Sequence, residues 1–146
     1  MLFLFKGNTL RCFYRIKPRV MLISDDKTFR DIQKDFNSKF SYLKLEFYSS
    51  QHSEGEGSPV QERIDPERLL KDARQKHTEG SVQVKEDMKV SDFEKMFHDK
   101  FGLNVQVFRK SGNLWMQTTS TDHWTLAEQN RKGGSSELHY KEKYRT

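Results

Sequence analysis

Apolar residues recur along this chain in two helical stripes, each followed at once by an alternating strand. Phe29, Ile32, Phe36 and Phe40 fall on one helical face at 3.6 residues per turn, and so do Val90, Phe93, Phe97 and Phe101. The strands that follow alternate Leu43, Leu45, Phe47 and Leu103, Val105, Val107, with Lys44 and Glu46 on the outer face of the first. Set sixty-one positions apart, the helices match identically at Asp31/Asp92, Lys34/Lys95, Phe36/Phe97, Lys39/Lys100 and Phe40/Phe101. Composition alone gives two helices rich in Lys, Asp and Phe some shared identities. The strand attached to each favours instead a degenerate internal duplication. The first copy has one more residue between helix and strand, Phe40-Ser-Tyr-Leu43 against Phe101-Gly-Leu103, which keeps both strands apolar side inward.

Local signals place the remaining elements. Thr28 with Asp31 resembles a capping box, Ser91-Asp92-Phe93-Glu94 reads as a full one, and Thr125 with Glu128 opens a short last helix ending near Asn130. Gly102 suits a left-handed helix terminator. Asp65-Pro66-Glu67 is the order that starts a helix, predicted over 66–76. Strands are predicted over 20–24 and 81–85, and Ser111-Gly112-Asn113 turns the chain tightly into a strand over 114–119. The resulting expectation is an α+β fold in the order β-α-β-(α)-β-α-β-β, with a ferredoxin-like or related sheet covered by helices on one face. Residues 21–130 form one domain in this reading, with a flexible polar loop over 49–64. Gly133-Gly134-Ser135-Ser136 detaches a basic flexible tail, 131–146.

Composition changes this picture little. At 34% hydrophobic and 32% charged, with eleven Phe, the chain suits a small domain whose core leans on aromatics. No apolar run approaches the roughly 20 residues of a membrane-spanning helix. The formal net charge is +5, but residues 1–20 alone carry Lys6, Arg11, Arg15, Lys17 and Arg19 without an acid, so the remainder is neutral. A basic footprint on the folded part is therefore not implied. The apolar stretch of residues 1–20 is too short for a secretory signal, and this segment reads as a disordered leader or a mis-assigned start upstream of Met21. Cys12 is the only cysteine, which excludes an internal disulfide or a Cys-pair zinc site and makes a reducing cytoplasm the expected compartment.

Candidate chemistry is sparse. The five histidines show no metal-ligand spacing, no phosphate-binding Gly-rich loop is present, and no cofactor or metal is expected. Asp122-His123-Trp124 is the weak alternative site, where a carboxylate and an aromatic could orient an imidazole. The hairpin is the stronger candidate. Its outward side is predicted to carry Gln106, Phe108, Trp115 and Gln117 beside Arg109 and Lys110, a face able to dock a peptide or stack bases unless another segment covers it.

The segment FGLNVQVFRKSGNLWMQTTSTDHWTLAEQN resembles a small bacterial protein family with no activity attached. The resemblance runs over roughly 80–130 and more weakly over 21–48; it implies a shared fold and carries over no functional residue. The functional expectation is a non-enzymatic intracellular domain that binds another protein. Binding of single-stranded nucleic acid through the aromatic face and basic termini is the alternative, and no membrane association is expected.

Overall fold

A computed structural model describes residues 19–145, so the expectations for residues 1–18 lie outside the described residues. The fold is α+β. Strand β1 (Arg19–Ile23) leads into helix α1 (Phe29–Lys39) and strand β2 (Leu43–Tyr48), and a short helix α2 (Leu70–Ala73) closes the first unit. The second unit comprises β3 (Gly80–Val84), α3 (Val90–Phe101), β4 (Asn104–Ser111), β5 (Leu114–Gln117) and α4 (Leu126–Lys143). The order matches the expectation, but the strands divide between two antiparallel sheets, β1-β3 and β2-β4-β5, and do not form a single ferredoxin-like sheet.

Each strand of the first unit pairs with its counterpart in the second. Met21 stands opposite Val82, sixty-one positions on, the offset that aligns the helices. Glu46 stands opposite Gln106, sixty positions on, the offset that aligns the strands. Both ladders are thus centred on corresponding residues, the relation a local twofold axis produces. One core fills the space between the units, with Phe36 and Phe97 both fully buried. Phe36 meets Phe93 across the two units at 5.2 Å between ring centroids, and Phe93 meets Phe97 at 4.7 Å. Such tilted pairs add to burial worth about 1.5–3 kcal/mol for each Phe.

Four turns, 25–28, 66–69, 86–89 and 122–125, each precede a helix and join in two pairs. Phe29 N donates to Arg68 O at 3.1 Å and Leu70 N to Lys27 O at 2.9 Å. Val90 N donates to Trp124 O and Leu126 N to Met88 O, both at 2.9 Å. These bonds satisfy amides that a helix start leaves open, and they correct two expectations. The helix predicted over 66–76 is restricted to Leu70–Ala73, because Pro66 O and Arg68 O accept from the start of α1. The box predicted at Ser91 does not form: Lys89 is the N-cap, and Ser91 N donates to Asp122 O at 2.8 Å. The boxes at Thr28 and Thr125 both form.

Two segments expected to be loose are fastened. Helix α4 continues through Gly133 and Gly134 to Lys143 where a detached tail was expected over 131–146. A Cβ on Gly133 would lie 2.9 Å from Tyr42 Cβ and 3.0 Å from Tyr42 O, so these glycines permit close approach of helix to sheet. Ser136 Oγ then accepts from Gly112 N, in the left-handed turn of the hairpin, at 2.8 Å. The polar segment 49–62 lies as a strap across the outer face of β4 and β5, with Ser58 and Gln117 exchanging two hydrogen bonds at 3.0 Å. Among the described residues no helix is long and apolar enough to cross a membrane.

Candidate functional site

The strap settles the fate of the hairpin face. Gln106 is fully buried and Phe108 is 6% exposed, with the Arg63 guanidinium 5.4 Å from the Phe108 ring centre. Trp115 is half-buried between the ammonium groups of Lys44, at 5.2 Å, and Lys110, at 5.0 Å. Gln117 is held by Ser58, and Arg109 turns to the other side of the sheet, where its Nη1 donates to Gln129 Oε1 at 3.0 Å. The open aromatic platform is therefore replaced by a face that the chain's own cations and strap occupy.

A different site emerges where β5 stops. Gln117 pairs with Phe108, and beyond it Thr118 bonds Val107 O through both N, at 3.2 Å, and Oγ1, at 2.9 Å. The chain then turns away at Thr119–Thr121, leaving the edge of β4 that faces β5 without a strand over 104–107, while the other edge stays paired with β2. Two side chains enter that gap. Glu94 from α3 accepts from Val107 N through Oε2 at 2.8 Å. His52 from the strap places Nε2 3.3 Å from Val105 O and Nδ1 3.0 Å from Ser53 O. Both carbonyls receive a proton only from the doubly protonated ring.

Beside these groups lies a cleft of about 450 Å³ between the strap and α3. Glu94 lines it at 7% exposure, with Oε1 3.7 Å from His52 Nε2. Burial holds the Glu94 carboxyl up at about 7; the Val107 N–H and His52 pull the other way, and the Asp122 charge adds to the rise. Asp122 is also buried in the cleft wall, and its Oδ2 accepts from Gly55 N at 2.8 Å, tying the strap to the turn before α4. Glu54 and Asp92 add two more acids to the lining, whereas Lys95 is paired with Asp99 at 2.6 Å.

The structure separates the Asp122-His123-Trp124 group. Asp122 turns into the cleft, His123 is exposed, and Trp124 stacks beside the Arg109 guanidinium at 5.7 Å. The imidazole beside Glu94 belongs to His52, from the segment read as a flexible loop, and His98 also lines the cleft. Glu94 carried no signal of its own, because the capping box expected at Ser91 accounted for it. Among the described residues no group of three or more His, Cys, Asp or Glu side chains is arranged to hold a metal ion. Models of known protein families, curated protein sequences and solved structures contain no match to the chain.

Proposed function

We propose that the chain is a protein-binding domain that acts by recognition and not by catalysis, and that a segment of another polypeptide enters the cleft beside β4. The observation that carries this reading is the early end of β5. It leaves one edge of β4, opposite the edge paired with β2, flanked by side chains instead of a strand, beside a polar cleft of the size that receives small groups or a few side chains. The pairing of counterpart strands about shared midpoints supports descent of the two units from one duplicated segment, of which the second copy opened its flank. A single cysteine in 146 residues supports a reducing, cytoplasmic setting. Single-stranded nucleic acid has less support, since Phe108 lacks an open ring face and the cleft is acidic.

Selection of a displayed random-peptide library on the full chain tests the proposal. Peptides enriched on the wild-type protein should be lost on Asp92→Trp, which plugs the cleft from an exposed rim position. Enrichment of no peptide, or of the same peptides by both proteins, overturns the reading.

A further inference from the structure

Glu94 and Gln33 occupy corresponding positions, sixty-one residues apart on α3 and α1, and both reach the backbone of the strand that follows their helix. Gln33 Nε2 donates to Leu45 O at 3.0 Å; Glu94 Oε2 accepts from Val107 N at 2.8 Å. A glutamine at position 94 could accept that bond through its amide oxygen without burying an ionisable group. The carboxyl therefore adds something that closing the flank does not require, at a desolvation cost that holds its proton on to about pH 7. Its Oε1 accepts no hydrogen bond among the described residues and lines the cleft, with His52 only at 3.7 Å. Asp92 is similarly released. Its counterpart Asp31 is bound to the Thr28 cap, but Lys89 supplies no cap for Asp92 to complete. With Asp122 and Glu54 alongside, and Lys95 engaged by Asp99, the cleft holds negative charge with little to balance it.

We infer that the cleft selects a lysine or arginine side chain of the bound segment, and that the cation docks against Glu94 Oε1. This rests on the reading of the cleft as a peptide site. The groups facing Glu94 are His52 from the strap, Asp122 from the turn before α4, and the Val107 N–H of β4. A cation placed there favours the ionised carboxylate, so binding near neutral pH expels a proton.

The peptides selected on the wild-type chain are the probes. A basic residue should recur in them, and its replacement by citrulline or norleucine should weaken binding about tenfold, as expected for loss of a charge-assisted bond. Titration calorimetry at pH 7 in buffers of low and high ionisation enthalpy should show proton release with the basic peptide. Glu94→Gln, which keeps an acceptor for Val107 N, should bind the basic peptide about tenfold less tightly, release no proton, and bind the citrulline peptide as the wild type does. Peptides that compete for the cleft without a basic residue, or proton release that persists in Glu94→Gln, overturn the inference while the peptide site stands. Failure to select any peptide removes both.

Discussion

The outer flank of β2 and the open edge of β4 pose one problem and solve it with different chemistry. On β2 the carbonyls of Leu43, Leu45 and Phe47 accept from Asn37, Gln33 and the Ile64 N–H at 2.8, 3.0 and 2.8 Å, all neutral donors. On β4 the corresponding work falls to a buried carboxyl and an imidazole, Glu94 and His52. Asn37 and His98 are counterparts as well, yet His98 reaches only the side chain of Asn104, at 2.9 Å. Amides are thus enough to close a strand flank. The ionisable pair on β4 exceeds what closure needs, and it sits where the cleft opens.

The largest test asks whether the two units are separable at all. Phe36→Ala and its counterpart Phe97→Ala each empty a fully buried site and should cost about 3–5 kcal/mol. Because Phe36 touches Phe93 across the units, urea denaturation followed by circular dichroism and tryptophan fluorescence should give one coincident transition in both variants. Two separate steps would show the units to be independent.

Glu94→Gln makes the second flank chemically like the first. The folded-state value of Glu94, about 7, lies above its ordinary 4.5, so the native protein binds more protons than the unfolded chain between these values. Wild-type stability should therefore fall as pH rises through that interval and level off above it. In Glu94→Gln this fall should vanish, leaving the variant more stable at pH 8 by on the order of 3 kcal/mol. The reverse change, Gln33→Glu, sets a carboxylate against Leu45 O and Glu46 and should add a new loss of stability at neutral pH. Denaturant midpoints measured from pH 4 to pH 8.5 check both.

Smaller effects probe the places where the units diverge. Gly133→Ala meets the Tyr42 backbone and should destabilise by about 1–3 kcal/mol despite the better helix propensity of alanine. Gly134→Ala meets only the edge of the Tyr42 ring, which can rotate away, and should lose less. Smallest of all, Thr28→Ala and Thr125→Ala should each lose about 1 kcal/mol, while Lys89→Ala, at a cap without a side-chain bond, should change the melting temperature little.

Patterns carried by neighbouring residues were legible in the sequence. The Phe stripes, the boxes at Thr28 and Thr125, the left-handed Gly102 and the Gly112 turn depend on contacts within a few residues, and all are formed. What could not be read depends on distant partners. Lys89 pairs with Thr125, which displaces the box at Ser91, and Leu69 pairs with Thr28, which shortens the predicted helix. Gly133 looks like a breaker until Tyr42 is seen against it. The site was only partly legible for the same reason: Asp122 stood in a weak candidate group, but His52 and Glu94 reach it from a segment read as a flexible loop and from an expected capping box.

The cross-unit ladders bear on how the chain is made. β1 pairs with β3 and β2 with β4, so residues 19–76 leaving a ribosome expose two strands with no ladder partner until the second unit emerges. The β1–β3 and β2–β4 contacts span about sixty positions, and such high contact order makes folding slow. In that interval the first unit of one chain can accept the second unit of another, because the same registers serve between chains as within one. Reciprocal exchange would complete both ladders in an intertwined dimer, and dilute refolding is the condition that favours the monomer.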